Sequence, residues 1–147
     1  QPRVINVVSG GMYTQRLQVG ALIMSKQEYS GSIAYARAKR ALMVVTEYWA
    51  KAWKSEGFVV NAMHPGWADT PGVQTSLPTF RKVMKQVLRN PYQGADTIIW
   101  LTAAQEAGLI TGKLFLDREP RNTHLLKSTI EKDTESQNLI EFLSEFN

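Results

Sequence analysis

Residues 58–66 read Phe58-Val59-Val60-Asn61-Ala62-Met63-His64-Pro65-Gly66. Phe58–Met63, an apolar run rich in β-branched side chains, predicts a buried strand. Pro65 has no N–H to give to a ladder, so the chain is expected to turn there. Upstream, Arg3–Val8 (RVINVV) is a run of the same kind and ends at Ser9-Gly10-Gly11. Downstream, Lys113–Asp117 (KLFLD) is a third. Between the first two, from about Ile33 to Ser55, apolar or small residues recur at Tyr35, Ala38, Leu42, Val45, Trp49 and Ala52. That spacing predicts a long helix, stopped by Gly57.

Between the second and third runs, a short helix is expected near Thr79 to Leu88. Another is opened by Pro91, whose missing N–H suits a first helical turn, and runs to about Ala104. After Asp117 a polar stretch leads to Thr134-x-x-Gln137, a capping-box pattern. The last helix then sets Leu139, Phe142, Leu143 and Phe146 on one face. Strands alternating with helices predict an α/β fold, a parallel sheet with helices on both faces. Ligands of such sheets bind beyond the carboxyl ends of the strands. Ser9-Gly10-Gly11 and His64-Pro65-Gly66 therefore mark where chemistry is expected.

Composition narrows the class. The 147 residues are 44% hydrophobic and 20% charged, which fits a globular domain rather than a disordered chain. The absence of cysteine excludes a disulfide scaffold and thiolate metal sites, and suits an intracellular protein. His64 and His124 are far apart and lack a carboxylate at ligand spacing, so no metal is expected. The net charge is +4, but the Lys and Arg residues are scattered and not interleaved with stacking aromatics. No nucleic-acid partner is expected, and a mildly basic surface suits a phosphate-bearing cofactor. The longest apolar candidate, Ile98 to Ala104, falls far short of the roughly 18 residues that a transmembrane helix needs.

Tyr35-Ala36-Arg37-Ala38-Lys39 places a tyrosine and a lysine four apart, on one face of the long helix. An ammonium beside a phenol favours its ionised form, and a tyrosine so tuned can exchange a proton with a substrate oxygen. The pair alone reads equally as a solvated helix face. Ser9 closes a strand and precedes two glycines, where a hydroxyl can hydrogen-bond a carbonyl oxygen or simply serve a turn. Pro65-Gly66-x-x-x-Thr70 can present backbone groups and a hydroxyl to a flat polar ring, or be an ordinary strand-to-helix turn. His64 reads as a packed loop histidine rather than a catalyst.

In type, order and placement these residues resemble the short-chain dehydrogenase/reductase superfamily, over Arg3 to Asp117. The resemblance implies the C-terminal half of a Rossmann-type domain over residues 1–120, with strands equivalent to the fifth to seventh. It leaves 121–147 as an extension bearing an amphipathic helix. It implies an NAD(P)-dependent oxidoreductase interconverting a carbonyl and an alcohol by hydride transfer. Ser9, Tyr35 and Lys39 are then the catalytic residues, and Tyr35, Lys39, Pro65, Gly66 and Thr70 touch the cofactor, NAD or NADP. The stretches VVSGGMY, AYARAKRA, MHPGWADTPGV and QGADTIIWL look like the branch called dehydrogenase/reductase SDR family member 12. The long insert between Ser9 and Tyr35 is also similar to retinol-dehydrogenase-like members, which implies a lipophilic small-molecule substrate.

No Gly-x-x-x-Gly-x-Gly or Gly-x-Gly-x-x-Gly occurs in the sequence, so the choice between NAD and NADP stays open and the chain reads as a fragment. An alternative reading is a catalytically inactive truncated member acting as an interaction or dimerisation module. It would pair through the long helix, where Ala34, Ala38 and Ala41 permit close approach, or through the unpaired edge of the first strand. Such an edge recruits other chains. The isolated chain is therefore predicted to be poorly soluble or a homo-oligomer in sedimentation, and a monodisperse monomer would contradict this.

Overall fold

The computed structural model describes residues 1–68, 82 and 88–146. Three strands, β1 (Arg3–Val7), β2 (Val59–Met63) and β3 (Leu114–Leu116), lie side by side and parallel, with β2 in the middle. All five residues of β2 are buried, which is why the run is apolar throughout rather than alternating. Its one polar side chain, Asn61, is satisfied at both ends. Nδ2 donates to the Ile110 carbonyl at 2.6 Å, and Oδ1 accepts from Lys113 N–H at 2.9 Å. A buried amide without those partners would be costly. Here it fixes the entry to β3.

The long helix α1 (Gly31–Ala52) covers one face of the sheet, and α2 (Pro91–Ala103) covers the other. Met43 of α1 packs with Val8, Met12, Ala62 and Leu114. Leu101 of α2 packs with Met63, Ala107 and Phe115, flanked by Ile5 and Ile98. The strand pleat sends alternate residues to opposite faces, so Ala62 meets α1 while Met63 meets α2. Pro91 takes the first turn of α2 as expected. Asn90 and Gln93 close a capping box there that the sequence reading left out, each side chain accepting from the other's backbone N–H.

Three expectations need correction. First, the buried arc of α1 is broader than, and displaced from, the predicted stripe. Tyr35, Ala38 and Ala52 are exposed, whereas Ala41, Met43, Val44, Val45 and Thr46 are buried. The cause is a second layer. Leu17, Val19 and Leu22 of the loop before α1, together with Leu139 and Ile140 of α3 (Asp133–Ser144), pack on the side of α1 away from the sheet.

Second, α3 does not start on the Thr134/Gln137 pattern. Glu135 closes the first turn by accepting from the Lys132 N–H at 2.9 Å. The buried side of the helix is Leu139 and Ile140, whereas Leu143 and Phe146 stay exposed. Third, a short fourth strand, β4 (Glu119–Arg121), pairs antiparallel with β3. Its two-residue turn, Asp117-Arg118, holds both residues at positive φ (56° and 60°), the conformation that hairpin turns demand and glycine usually supplies. Here neighbours hold it instead. Arg118 donates its N–H to the buried Thr97 of α2 and pairs with Asp96, and Asp117 pairs with Arg89.

The short helix expected near Thr79 falls largely outside the described residues. In the loop between Ser9 and α1, two 3-10 turns form, Gly10–Thr14 and Val19–Ala21. Leu139 is fully buried where α3 meets α1. Leu139→Ala is predicted to cost about 2–5 kcal/mol in urea unfolding, the range for emptying such a site. A loss well below that range would mean that α3 is not docked on α1.

Candidate functional site

Because β1, β2 and β3 are parallel, their carboxyl ends share one edge of the sheet. Ser9, the His64-Pro65-Gly66 turn and the Asp117-Arg118 turn all lie at that edge. Ser9 is the N-cap of the Gly10–Thr14 turn, in extended backbone, and its Oγ accepts from the Gly11 N–H at 3.3 Å. That bond uses an acceptor site and leaves the hydroxyl proton to be donated elsewhere.

Lys39 reaches this edge from the side. Its Nζ donates to the Val7 carbonyl at 2.9 Å, the last residue of β1, and lies 5.5 Å from the centroid of the Tyr35 ring. Tyr35 itself, near the start of α1, is 52% exposed, so a ligand can reach it. Among the described residues no hydrogen bond joins Ser9 to Tyr35. They are brought to one edge through Lys39, which ties the helix turn bearing Tyr35 to the strand end bearing Ser9.

Lys39 belongs to a series that the sequence reading took only in part. Three basic side chains of α1 take three carbonyls from the chain that precedes it. Lys39 holds Val7, Arg40 Nε holds Gln15 at 3.3 Å, and Arg37 Nη1 holds Ala21 at 3.0 Å. Tyr13 was also missed. Its hydroxyl donates to the Asn122 carbonyl at 2.7 Å, and its ring meets His64 edge-on at 6.4 Å between centroids. Burial pushes the Tyr13 phenol up, partly offset by Arg40 and Arg121. The only sequence signals for these residues were adjacency: Tyr13 ends VVSGGMY and Arg40 follows Lys39.

The turn after β2 is built on Gly66, at φ +72°. Its N–H donates to His64 Nδ1 at 3.2 Å, so His64 braces the turn, as a packed loop histidine does. Burial, then the Arg89 charge, holds the His64 imidazole below its ordinary range, which favours the neutral ring that can accept the Gly66 N–H. Arg89 lies over the turn and forks onto both carboxyl oxygens of Asp117, holding that carboxyl below the usual range. Pro65 packs close to Gly94 of α2, where an added Cβ would come within 3.5 Å of it. Thr70, expected to touch the cofactor, lies outside the described residues. No helix among the described residues is long and apolar enough to cross a membrane.

The sequence pattern of the enoyl-(acyl carrier protein) reductase family matches residues 17–115, the stretch that carries Tyr35, Lys39 and the Pro65-Gly66 turn. The chain belongs to the short-chain dehydrogenase/reductase family. It is 41% identical over 146 residues to dehydrogenase/reductase SDR family member 12 of Homo sapiens and 43% identical to that of Bos taurus. Each match covers 98% of this chain and 45% of the relative, so the chain spans somewhat under half the length of those proteins. The fold is also that of a crystal structure of the angucycline C-6 ketoreductase LanV with bound NADP. That match has a TM-score of 0.56 and 24% identity, over 77% of this chain and 40% of that one. The members of this family are oxidoreductases, and the four-stranded unit described above is a partial form of their sheet.

The Gly66 turn yields a test. A Cβ there would sit 2.9 Å from Arg89 Nε on a backbone that L-residues adopt at a cost. Gly66→Ala is predicted to lose about 1–2 kcal/mol for the left-handed backbone alone and to push Arg89 off Asp117. The Asp117 carboxyl would then titrate at a higher pH, followed by NMR. The sign is that of a depressed acid. The pair stabilises the fold above the unfolded carboxyl pKa, and that contribution fades as pH falls through the lowered folded value. With Asp117 half exposed the contribution is small. An unmoved Asp117 titration would show that Arg89 is not held by the turn.

Proposed function

We propose that this chain supplies the proton-handling side of an NAD(P)-dependent oxidoreductase that interconverts a small carbonyl compound and its alcohol. The observation that carries the reading is Lys39, its ammonium 5.5 Å from the Tyr35 ring and bonded to the strand end that leads into Ser9. In the reduction direction Tyr35 gives its hydroxyl proton to the substrate oxygen, and in oxidation it takes one back. The Lys39 charge, one turn away, stabilises the negative charge that develops on the Tyr35 oxygen. Ser9 donates its hydroxyl proton to the same substrate oxygen and so orients the carbonyl.

The donor set suits the nicotinamide-ribose end of a dinucleotide. Lys39 has three N–H donors and spends one on Val7, leaving two for ribose hydroxyls. Pro65 and Gly66 offer a braced turn beside the strand ends, to which Thr70 would add a hydroxyl. When bound, the nicotinamide supplies or receives the hydride. The angucycline ketoreductase relative is described with NADP, and either NAD or NADP is compatible with the residues of this chain. The long loop between Ser9 and α1, the feature similar to retinol-dehydrogenase-like members, favours a lipophilic substrate. Within the C-terminal segment 121–147, α3 packs on α1 through Leu139.

A second reading has its own observation. Among the described residues β1 is the last strand of the sheet on its side, with Val7 exposed, so its outer edge can pair with another chain. That reading makes the chain an interaction or dimerisation module with no turnover.

Tyr35→Phe in the full-length protein that carries this chain separates the two. The catalytic reading predicts a loss of about 10²–10⁴-fold in kcat, the usual worth of a general acid–base group. Dinucleotide affinity, read by NAD(P)H fluorescence, should change little. Retained turnover would remove Tyr35 from the mechanism, and failure of the unmodified protein to bind any dinucleotide would favour the interaction module.

A further inference from the structure

The least expected feature beside the site is a buried ionic cluster. Arg40 has 1% of its side chain exposed and Glu131 has 6%. Arg40 Nε lies 3.7 Å from Glu131 Oε1, and Glu131 Oε2 lies 2.9 Å from His124 Nε2. The other ring nitrogen of His124 meets the Thr129 hydroxyl at 3.0 Å. Glu47 of α1 faces the same cluster, its carboxyl pushed up by burial and by the Glu131 charge. An apolar cluster of equal volume would hold a fold at least as well as a buried ion pair, so stability alone does not account for this one.

What the guanidinium does locally is more specific. Its Nε donates to the Gln15 carbonyl and its Nη2 to the Thr123 carbonyl at 2.8 Å. Gln15 is the C-cap of the same 3-10 turn whose N-cap is Ser9. The strand residue just before that turn, Val7, is held by Lys39. Neighbouring residues of one helix thus grip the chain on both sides of Ser9. Tyr13, inside the turn, is tied to Asn122, next to the Thr123 that Arg40 also holds. A planar fork can serve two carbonyls at fixed angles, whereas an ammonium is a point charge.

We infer that Arg40 is a positioning residue for Ser9, acting through the Gln15 end of the turn, with Glu131 of the C-terminal segment as its counter-charge and His124 as the partner that holds Glu131. The inference rests on the reading of Ser9 as the donor to the substrate oxygen. It makes the placement of Ser9 depend on the docking of residues 122–131.

The test uses two variants of the full-length protein, Arg40→Lys and the apolar pair Arg40→Met with Glu131→Leu. The first readout is hydrogen exchange at the amides of Met12 and Gln15, which are bonded only within the turn (to Ser9 O and Met12 O), against Val60 and Ala62 of β2. The second is kcat, KM and dinucleotide affinity. Loss of one hydrogen bond to a charged group corresponds to about tenfold. The expected result is exchange about tenfold faster at Met12 and Gln15 with β2 unchanged, kcat lowered by a similar factor and dinucleotide affinity kept. The apolar pair should stay folded, with β2 exchange unchanged, and still lose the protection of the turn. Wild-type protection of the turn in either folded variant would overturn the inference, as would loss of protection with kcat intact. Failure of both variants to fold would also overturn it, because the tie would then serve the fold as a whole. If the unmodified protein shows no dinucleotide-dependent turnover, the functional reading fails by itself, and the exchange result alone decides whether Arg40 holds the turn.

Discussion

From the last residue of β1 onward, α1 takes up three backbone carbonyls of the chain that precedes it. Lys39 accepts the task at Val7, Arg40 at Gln15 and Arg37 at Ala21. A part-buried carbonyl without a donor costs free energy, and a buried guanidinium without a counter-charge costs more. The two needs meet in one place. The helix supplies cations, the loop supplies carbonyls, and Glu131 supplies the charge that lets Arg40 be buried. The consequence is positional, since the loop beginning at Ser9 has little freedom relative to the helix beginning just before Tyr35.

The same edge of the sheet is finished on its other side by charges that are not buried. Gly66 and His64 set the turn after β2, Arg89 lies over that turn and grips Asp117, and Asp96 grips Arg118. These pairs hold a hairpin turn that has no glycine. Their energy is modest in solvent, but their geometry fixes the β3–β4 corner beside the Pro65-Gly66 turn. The result is an edge with an ordered hydroxyl at Ser9, an exposed phenol at Tyr35 and an ammonium at Lys39. The chemistry proposed above rests on this arrangement.

Much of this was legible from residues alone where the signal was local. The three parallel strands are apolar runs bounded by Ser-Gly-Gly, His-Pro-Gly and a polar stretch. Pro91 marks a helix start for reasons of backbone geometry, whereas α1 already ends at Ala52 and Gly57, at φ 78°, closes the 3-10 turn Lys54–Glu56 that follows. Tyr35 and Lys39 are four apart and share a face. What could not be read depended on distant partners. The buried arc of α1 was misplaced because helical spacing cannot announce a second layer, here Leu17 and Leu139. The hairpin at Asp117-Arg118 was invisible because its positive φ values are held by Arg89, Asp96 and Thr97 and not by a turn residue. Arg40 looked like any surface arginine beside a lysine, and only the fold brings Gln15, Thr123 and Glu131 to it.

The most direct test is a crystal structure of the full-length protein with NAD(P)H and an unreactive carbonyl compound. The account predicts one carbonyl oxygen within hydrogen-bond reach, about 3 Å, of both Ser9 Oγ and Tyr35 Oη, with Lys39 Nζ at the ribose. A carbonyl bound away from the β1 end, or held by neither hydroxyl, would contradict it.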